Sequence, residues 1–163
     1  MKLEKNKIIL DACCGGRMFW FDKNDPNTVF VDIRSDEYVL CDGRKFEIKP
    51  DVLADFTNLP FDNGSFKLVV FDPPHLDNAN KDAYMAQKYG SLRRFEWQND
   101  IKRGFDECMC VLGDYGVLVF KWNETRIPVK RILEIIEATP LFGHKSGKAS
   151  KTHWMCFMKM PDK

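Results

Sequence analysis

The sequence lacks any hydrophobic run long enough to cross a membrane. A spanning helix needs about 18 or more consecutive apolar residues, and none of the 163 residues belongs to such a run. The first five residues also lack the long apolar stretch of a secretion signal. We therefore expect a cytoplasmic protein that does not insert into a membrane.

The cysteines form no Cys-x-x-Cys pair, which is the spacing typical of zinc knuckles and redox motifs. Most of the six lie within apolar runs, and a domain of this length has little need of a disulfide framework. We expect reduced core cysteines and no metal site. The six are Cys13, Cys14, Cys41, Cys108, Cys110 and Cys156.

The sequence also lacks a strong excess of one charge. Its formal net charge is +1, so any attraction for a polyanion must be local. Apolar residues make up 44% of the chain, which is typical of a globular protein. Because there is no repeat, low-complexity tract or linker, residues 1–163 are predicted to form a single domain, with no room for a separate target-recognition domain.

Short apolar runs predict buried strands, and four of them end in or beside an acid. These runs cover residues 7–11, 28–33, 51–55 and 66–72, and the acids are Asp11, Asp32, Asp55 and Asp72. Between the second and third run, Asp42-Gly43 separates two β-rich stretches. An Asp-Gly pair in this position predicts a two-residue hairpin.

Two helices are predicted in the second half of the chain. Apolar residues recur at helical spacing from Ile101 to Leu112, and Gly113 supplies a stop. Pro128 opens the second helix, which presents its isoleucines and Leu133 on one face.

Strands alternate with helical segments through most of the sequence, which predicts an α/β fold. We expect a Rossmann-like, mostly parallel sheet with helices on both faces. Residues 116–121 and 154–158 predict further strands. Gly143 to Thr152 separates the last two strand candidates, and a hairpin there would add an antiparallel strand at the edge.

A glycine turn follows the first strand. In open α/β sheets, ligands bind at the carboxyl ends of the strands, and Gly15 and Gly16 would let the backbone approach a ligand closely. The turn is not Gly-x-Gly-x-x-Gly, so a dinucleotide-dependent oxidoreductase fits poorly. Asp32 follows Asp11 by 21 residues, where an acid can accept hydrogen bonds from ribose hydroxyls.

The most specific motif is Asp72-Pro73-Pro74-His75. Two prolines fix two φ angles and bias Asp72 towards an extended conformation. A rigid carboxylate and the rigid Pro73 carbonyl can both accept from one amino group, which would orient the nitrogen lone pair. His75 is planar and could stack on a base.

These motifs resemble those of the class I S-adenosylmethionine-dependent methyltransferases. More narrowly, they are similar to amino-methyltransferases with an (Asp/Asn/Ser)-Pro-Pro-aromatic motif, over about residues 7–121. The resemblance implies S-adenosylmethionine as the cofactor. It also implies contacts with the methionine part from Asp11, Cys13, Gly15 and Gly16, with the ribose from Asp32 and Ile33, and with the adenine from Asp55 and Phe56. The resemblance assigns the target nitrogen to Asp72, Pro73, Pro74 and His75.

The sequence departs from the family pattern at three positions. Cys13 and Arg17 replace the first and third glycines of the family's glycine turn. His75 replaces the usual Tyr, Phe or Trp, and imidazole stacks more weakly and with a pH-dependent charge.

Candidate substrate contacts lie in two further regions. Lys145, Lys148 and Lys151 belong to a glycine- and serine-rich basic stretch that could contact phosphates, although a solvated basic turn explains it equally well. Trp97 could stack on a base or pack in a helix. Lys121, Trp122 and Asn123 end a strand at the edge of the sheet where the ligand is expected.

Together these features predict methyl transfer to an exocyclic amino nitrogen of a nucleic-acid base, with adenine N6 favoured. The expected partner is DNA or RNA, and a protein partner or a homo-oligomer is also possible. Two alternatives remain open: a methyltransferase acting on a small molecule or a protein glutamine, and a non-catalytic binding subunit with this fold.

Overall fold

The computed structural model describes residues 4–40, 42–76, 90–93, 95–145 and 151–161. Nine strands and two helices lie within these residues. In chain order they are β1 (Ile9–Asp11), β2 (Thr28–Asp32), β3 (Asp36–Val39), β4 (Lys45–Ile48), β5 (Val52–Leu53), β6 (Phe66–Phe71), α1 (Trp97–Val111), β7 (Leu112–Asn123), α2 (Val129–Ile136), β8 (Phe142–Lys145) and β9 (Thr152–Met158).

Seven strands form one sheet in the order β5-β2-β1-β6-β7-β9-β8. The first five are parallel, β9 runs antiparallel to β7, and β8 pairs antiparallel with β9. This arrangement confirms the mostly parallel sheet with an antiparallel hairpin at one edge. Strands β3 and β4 form a separate antiparallel hairpin, which confirms the hairpin predicted around Asp42-Gly43. The predicted two-residue turn is wrong, because β3 ends at Val39 and β4 begins at Lys45, and the Leu40 N–H donates to the Arg44 carbonyl across a longer loop in which Gly43 has φ +80°.

The main hydrophobic core covers one face of the sheet. Leu10, Val69 and Leu118 are paired in register across β1, β6 and β7, so their side chains point to the same face. All three are fully buried, and they share one cluster with Phe105 from α1 and Ile132 from α2. Helix α1 contacts β6 and β7, and α2 packs beside α1, so both helices lie on this face.

The opposite face is covered, in the described part of the chain, by the turn-rich segment 12–27 instead of a helix. Trp20 packs edge-on against Phe30, with ring centroids 5.1 Å apart. Within the segment, Asp22 and Asp25 each accept the backbone N–H two residues ahead. Such side-chain turns compete with a helix, so the expected helices on both faces are found on only one face of the described structure.

The helix boundaries differ from the sequence prediction at one point. Helix α1 ends at Val111, and Leu112 is already extended, with φ −70° and ψ 136°. Gly113 is therefore part of β7 and does not stop the helix. A Cβ at Gly113 would lie 3.2 Å from the Gly64 carbonyl oxygen, so this glycine permits a close approach of two backbones.

The cysteine prediction is only partly confirmed. All five cysteines of the described residues are free thiols, and Cys14 and Cys108 are buried, but Cys110 is exposed. Cys41 lies outside the described residues. No cluster of metal-ligating side chains occurs in the described ranges, and none of the helices described there is long and apolar enough to span a bilayer.

Candidate functional site

A cavity of about 280 Å³ opens at the carboxyl ends of β1, β2 and β6. The strand order reverses between β1 and β6, which is where open α/β sheets bind ligands. The cavity brings the glycine turn and the diproline motif together. The predicted site residues among its lining are Cys13, Gly15, Gly16, Asp32, Ile33, Phe56, Asp72, Pro73, Pro74, His75 and Lys121.

Asp32 links the second strand to the glycine turn. Its Oδ2 accepts from the Gly15 N–H at 2.9 Å, and its Oδ1 accepts from the Arg34 N–H and Nε at 2.9 and 3.1 Å. A carboxylate offers about four acceptor positions, so these three bonds leave about one. Gly15 has φ +48°, a conformation that favours glycine. Asp32 therefore shapes the turn and can still accept from one further hydroxyl.

Asp11 lies beneath the turn and does not line the cavity. Its Oδ2 accepts from Trp20 Nε1 at 2.7 Å, and its Oδ1 accepts from the Cys13 N–H at 3.2 Å. Burial raises the pKa of this carboxyl from 3.8 to about 7. In this structure Asp11 supports the turn from below, in place of the direct cofactor contact expected for it.

Gly16 is required by packing as well as by the cavity. A Cβ at this position would lie 2.5 Å from the Phe46 ring of the β3–β4 hairpin. The hairpin thus packs directly on the glycine turn, because only glycine leaves room for the ring.

Two apolar residues, Phe56 and Ile33, form a wall of the cavity. The Phe56 ring packs edge-on against Phe71, with centroids 5.4 Å apart, and rests on Gly104, where a Cβ would lie 2.4 Å from the ring. Ile33 is 61% exposed although its side chain is large and apolar. Asp55 does not line the cavity; its Oδ1 accepts from the Thr57 N–H at 2.8 Å within a turn.

Asp72 forms an ion pair with Lys121 at the end of β7. The Lys121 ammonium lies 2.5 Å from Asp72 Oδ2, and it also faces the rings of Phe19 and Trp154 at 5.2 and 5.6 Å. Burial raises the pKa of Asp72, and the ammonium of Lys121 opposes that rise. Lys121 therefore offsets part of the desolvation that disfavours the Asp72 carboxylate at the cavity wall.

His75 lies half-buried at the end of the diproline motif. Burial lowers its pKa from 6.5, and the nearby Lys121 ammonium lowers it further. The imidazole is consequently neutral at physiological pH, which removes the charge that would oppose stacking.

Three predicted substrate residues lie away from the cavity. Trp122 is 1% exposed in the core, and its Nε1 donates to the Ile127 carbonyl at 2.9 Å. Strand alternation explains this position, since Lys121 and Trp122 point to opposite faces. Trp97 packs against the core at the start of α1. Asn123 donates to Thr152 Oγ1 at 3.1 Å.

The predicted basic stretch is described only in part. Lys151 is exposed immediately before β9, and its carbonyl accepts from the Glu124 N–H at 2.8 Å. Lys148 and the side chain of Lys145 lie outside the described residues.

Several cavity residues were not expected from the sequence. Arg34, Met18 and Phe19 line it, together with Gly90 and Ser91. Arg34 had a signal, because it follows the Asp32 acid by two residues. Phe19 had none, since its position depends on the turn path of segment 12–27.

No family model and no curated protein sequence matches this chain. Solved structures do match. They include the N-methyltransferase NodS from Bradyrhizobium japonicum WM9, at 14% identity and TM-score 0.55, which covers 94% of this chain and 85% of that one. An rRNA methylase from Streptococcus thermophilus matches at 11% identity and TM-score 0.54, covering 95% and 88%.

This chain has the class I methyltransferase fold. A third similar structure is the 1,6-didemethyltoxoflavin-N1-methyltransferase from Burkholderia thailandensis with bound 1,6-didemethyltoxoflavin and S-adenosylhomocysteine. It matches at 12% identity and TM-score 0.51, covering 94% of this chain and 71% of that one.

Proposed function

We propose that this protein is an S-adenosylmethionine-dependent methyltransferase acting on an exocyclic amino nitrogen of a nucleic-acid base, with adenine N6 as the favoured acceptor. One observation carries the proposal: the Asp72–His75 corner lines the same cavity as the glycine turn and Asp32. An acceptor held at that corner would lie beside a cofactor held at the turn.

The residues of the cavity suit the cofactor. Its volume of about 280 Å³ is close to the lower end of the range for ligand pockets, roughly 300–1,000 Å³. Asp32 has an acceptor position left for a ribose hydroxyl, and Ile33 and Phe56 offer apolar surface to an adenine ring. When bound, S-adenosylmethionine supplies an electrophilic methyl group on its sulfonium.

The diproline corner suits an amino acceptor. Lys121 occupies Oδ2 of Asp72, and no hydrogen bond to Oδ1 is found among the described residues. In the proposed pose, Oδ1 accepts one N–H of the amine and the Pro73 carbonyl accepts the other. The nitrogen lone pair then points into the cavity, and such orientation lowers a barrier by several kcal/mol.

Lys121 and His75 would support this pose without exchanging protons with the acceptor. Lys121 favours the carboxylate form of Asp72, which accepts hydrogen bonds where a protonated acid would donate one. His75 is held neutral by burial and by Lys121, so its ring can stack on a planar base. The methylated nitrogen loses its extra proton readily, which means that a strong base is unnecessary.

A nucleic-acid base is the preferred acceptor because it combines a planar ring with an exocyclic amine, and the corner offers a partner for each. An enzyme acting on such a base must take it out of the stack. A single-stranded or structured RNA suits this requirement, because unstacking costs least for a base that is already single-stranded.

The first test is cofactor binding. Adding S-adenosylhomocysteine at about 100 times its dissociation constant should stabilise the protein by about 2.7 kcal/mol, visible as a rise in Tm. Asp32→Ala should abolish that rise, whereas Asp62→Ala, which changes an acid outside the cavity, should retain it. An unchanged Tm at millimolar S-adenosylhomocysteine would show that S-adenosylmethionine is not the cofactor.

The second test is transfer of a tritiated methyl group to separate pools of RNA, DNA, protein and small metabolites. Label in nucleic acid that co-migrates with an N-methylated base after digestion supports the proposal. Label in protein or in small metabolites would show that the methyl acceptor is not a nucleic-acid base. Cofactor binding without label in any pool would favour the non-catalytic alternative.

A further inference from the structure

A second concavity of about 710 Å³ lies next to the glycine turn. It runs between segment 17–24 and the β3–β4 hairpin with the residues that follow it, and it shares Gly15, Gly16 and Met18 with the first cavity. We call it the basic groove, after the cations in its lining: Arg17, Lys23, Arg44, Lys45 and Lys49.

Arg17 holds the two sides of the basic groove together. Its guanidinium donates to the carbonyls of Lys23 and Lys49 at 2.6 and 2.7 Å and to Asp51 Oδ1 at 3.1 Å. It also lies 3.8 Å from the centroid of the Phe30 ring. Its backbone has φ +52°, a conformation uncommon for residues other than glycine. The groove is therefore a built feature of the fold and does not depend on a bound ligand.

The charge of the basic groove is not balanced within the described residues. Two carboxylates share the lining, and each already has a cation beside it: Asp51 is bound by Arg17, and Glu47 lies 3.9 Å from Lys49 Nζ. Arg44 pairs with Asp42 at 2.6 Å. No hydrogen bond or ion pair engages the ammonium groups of Lys23 and Lys45 in the part of the chain that the structure describes. A local cation excess in a chain of net charge +1 calls for an anionic occupant.

One aromatic side chain adds to this surface. Phe21 belongs to the segment that borders the groove, and it is fully exposed. Phe21 is not part of the groove lining itself, but cations and an exposed aromatic ring within one segment are the two elements by which proteins bind single-stranded nucleic acid: phosphate contacts and base stacking.

We propose that the basic groove binds the phosphate backbone of a single-stranded nucleic acid, with Lys23 and Lys45 contacting phosphates and Phe21 stacking on a base. The inference rests on the nucleic-acid part of the proposed function and names the surface that holds the strand. It does not depend on which base is methylated, or on methyl transfer itself.

The test compares two matched double variants by fluorescence anisotropy with a labelled single-stranded 12-mer. Lys23→Gln/Lys45→Gln removes two cations from the groove, and Lys67→Gln/Lys130→Gln removes two exposed lysines outside it. Each phosphate contact on a single strand contributes about −0.7 to the slope of log K against log salt. The groove variant should therefore bind about tenfold more weakly at 150 mM salt, with a slope about 1.4 smaller, while the control variant matches the wild type.

The outcomes separate this inference from the proposed function. Equal losses of affinity in both variants, or no loss in either, would show that the groove does not bind the strand. Neither result would bear on the methyl-transfer proposal. Phe21→Ala binding as tightly as the wild type would overturn the stacking contact. Groove-dependent binding without methyl transfer would support the inference and overturn the catalytic proposal. If polyglutamate of equal charge binds as tightly as the oligonucleotide, an acidic protein surface is the occupant and the nucleic-acid assignment is overturned.

Discussion

Replacing Asp11 with asparagine should change how the stability of this protein depends on pH. The carboxyl is completely buried, and burial raises its pKa from 3.8 to about 7, while hydrogen bonds from Trp20 and Cys13 oppose the rise. The nearby carboxylates of Asp72 and Asp32 add to it. Near neutral pH the folded protein must therefore hold either a proton or a buried negative charge at this position.

The sign and size follow from proton linkage. Because the folded pKa is the higher one, the contribution of Asp11 is fully present below pH 3.8 and is lost as the pH rises through about 7. One pKa unit corresponds to about 1.4 kcal/mol. Between pH 5 and pH 8 the wild type should lose about 2–3 kcal/mol of unfolding free energy through this carboxyl, as an upper estimate.

The asparagine variant removes that dependence. Its amide oxygen can still accept from Trp20, but its amide nitrogen cannot accept from the Cys13 N–H, which costs about 1 kcal/mol at every pH. The variant should be about 1 kcal/mol less stable than the wild type at pH 5 and about 1–2 kcal/mol more stable at pH 8.

Urea denaturation at half-unit pH steps measures this difference, with constant m-values as the check on two-state unfolding. The two stability curves should cross between pH 5 and pH 8. Parallel curves, or a wild type that gains on the variant as the pH rises, would show that the carboxyl stays ionised beneath the glycine turn throughout this range.

Two further substitutions test the glycine turn and the apolar wall of the cavity that Phe56 forms. Arg17→Ala should lower the unfolding free energy by about 2 kcal/mol, because it removes the hydrogen bonds of the guanidinium and its contact with the Phe30 ring. Arg17→Gly should be about 1 kcal/mol more stable than Arg17→Ala, because glycine tolerates the positive φ. Equal urea midpoints for the two variants would show that the backbone at position 17 is not strained. Gly104→Ala should displace the Phe56 ring, which lies 2.4 Å from the new Cβ, and weaken S-adenosylhomocysteine binding by about tenfold in titration calorimetry. Alanine normally favours a helix by about 1 kcal/mol, so a loss of stability would be steric in origin, and unchanged affinity would exclude Phe56 from the cofactor site.

The sheet and the position of the site follow from local sequence signals. Buried runs that end in acids predict parallel strands, and the carboxyl ends of such strands meet at one edge. The diproline stops β6 immediately before Asp72, because proline cannot donate to the ladder. These local rules bring Asp72 and Asp32 to a common cavity.

The features that escaped prediction depend on contacts between distant segments. The turns of segment 12–27 cover one face of the sheet and bring Phe19 against Lys121. The need for glycine at position 104 becomes visible only when Phe56 packs on the helix. Trp122 is different, since simple strand alternation already places it opposite Lys121 and within the core.

The proposed chemistry depends most directly on Asp72, and its removal can be measured as the single-turnover rate of methyl transfer to an adenine-containing oligonucleotide. Asp72→Ala should lower that rate by at least about 100-fold, with S-adenosylhomocysteine affinity unchanged, and Asp72→Asn, which keeps one acceptor oxygen, should retain an intermediate rate. The account would be contradicted if Asp72→Ala transferred methyl at the wild-type rate, or if the wild type bound the cofactor and never methylated an amino nitrogen.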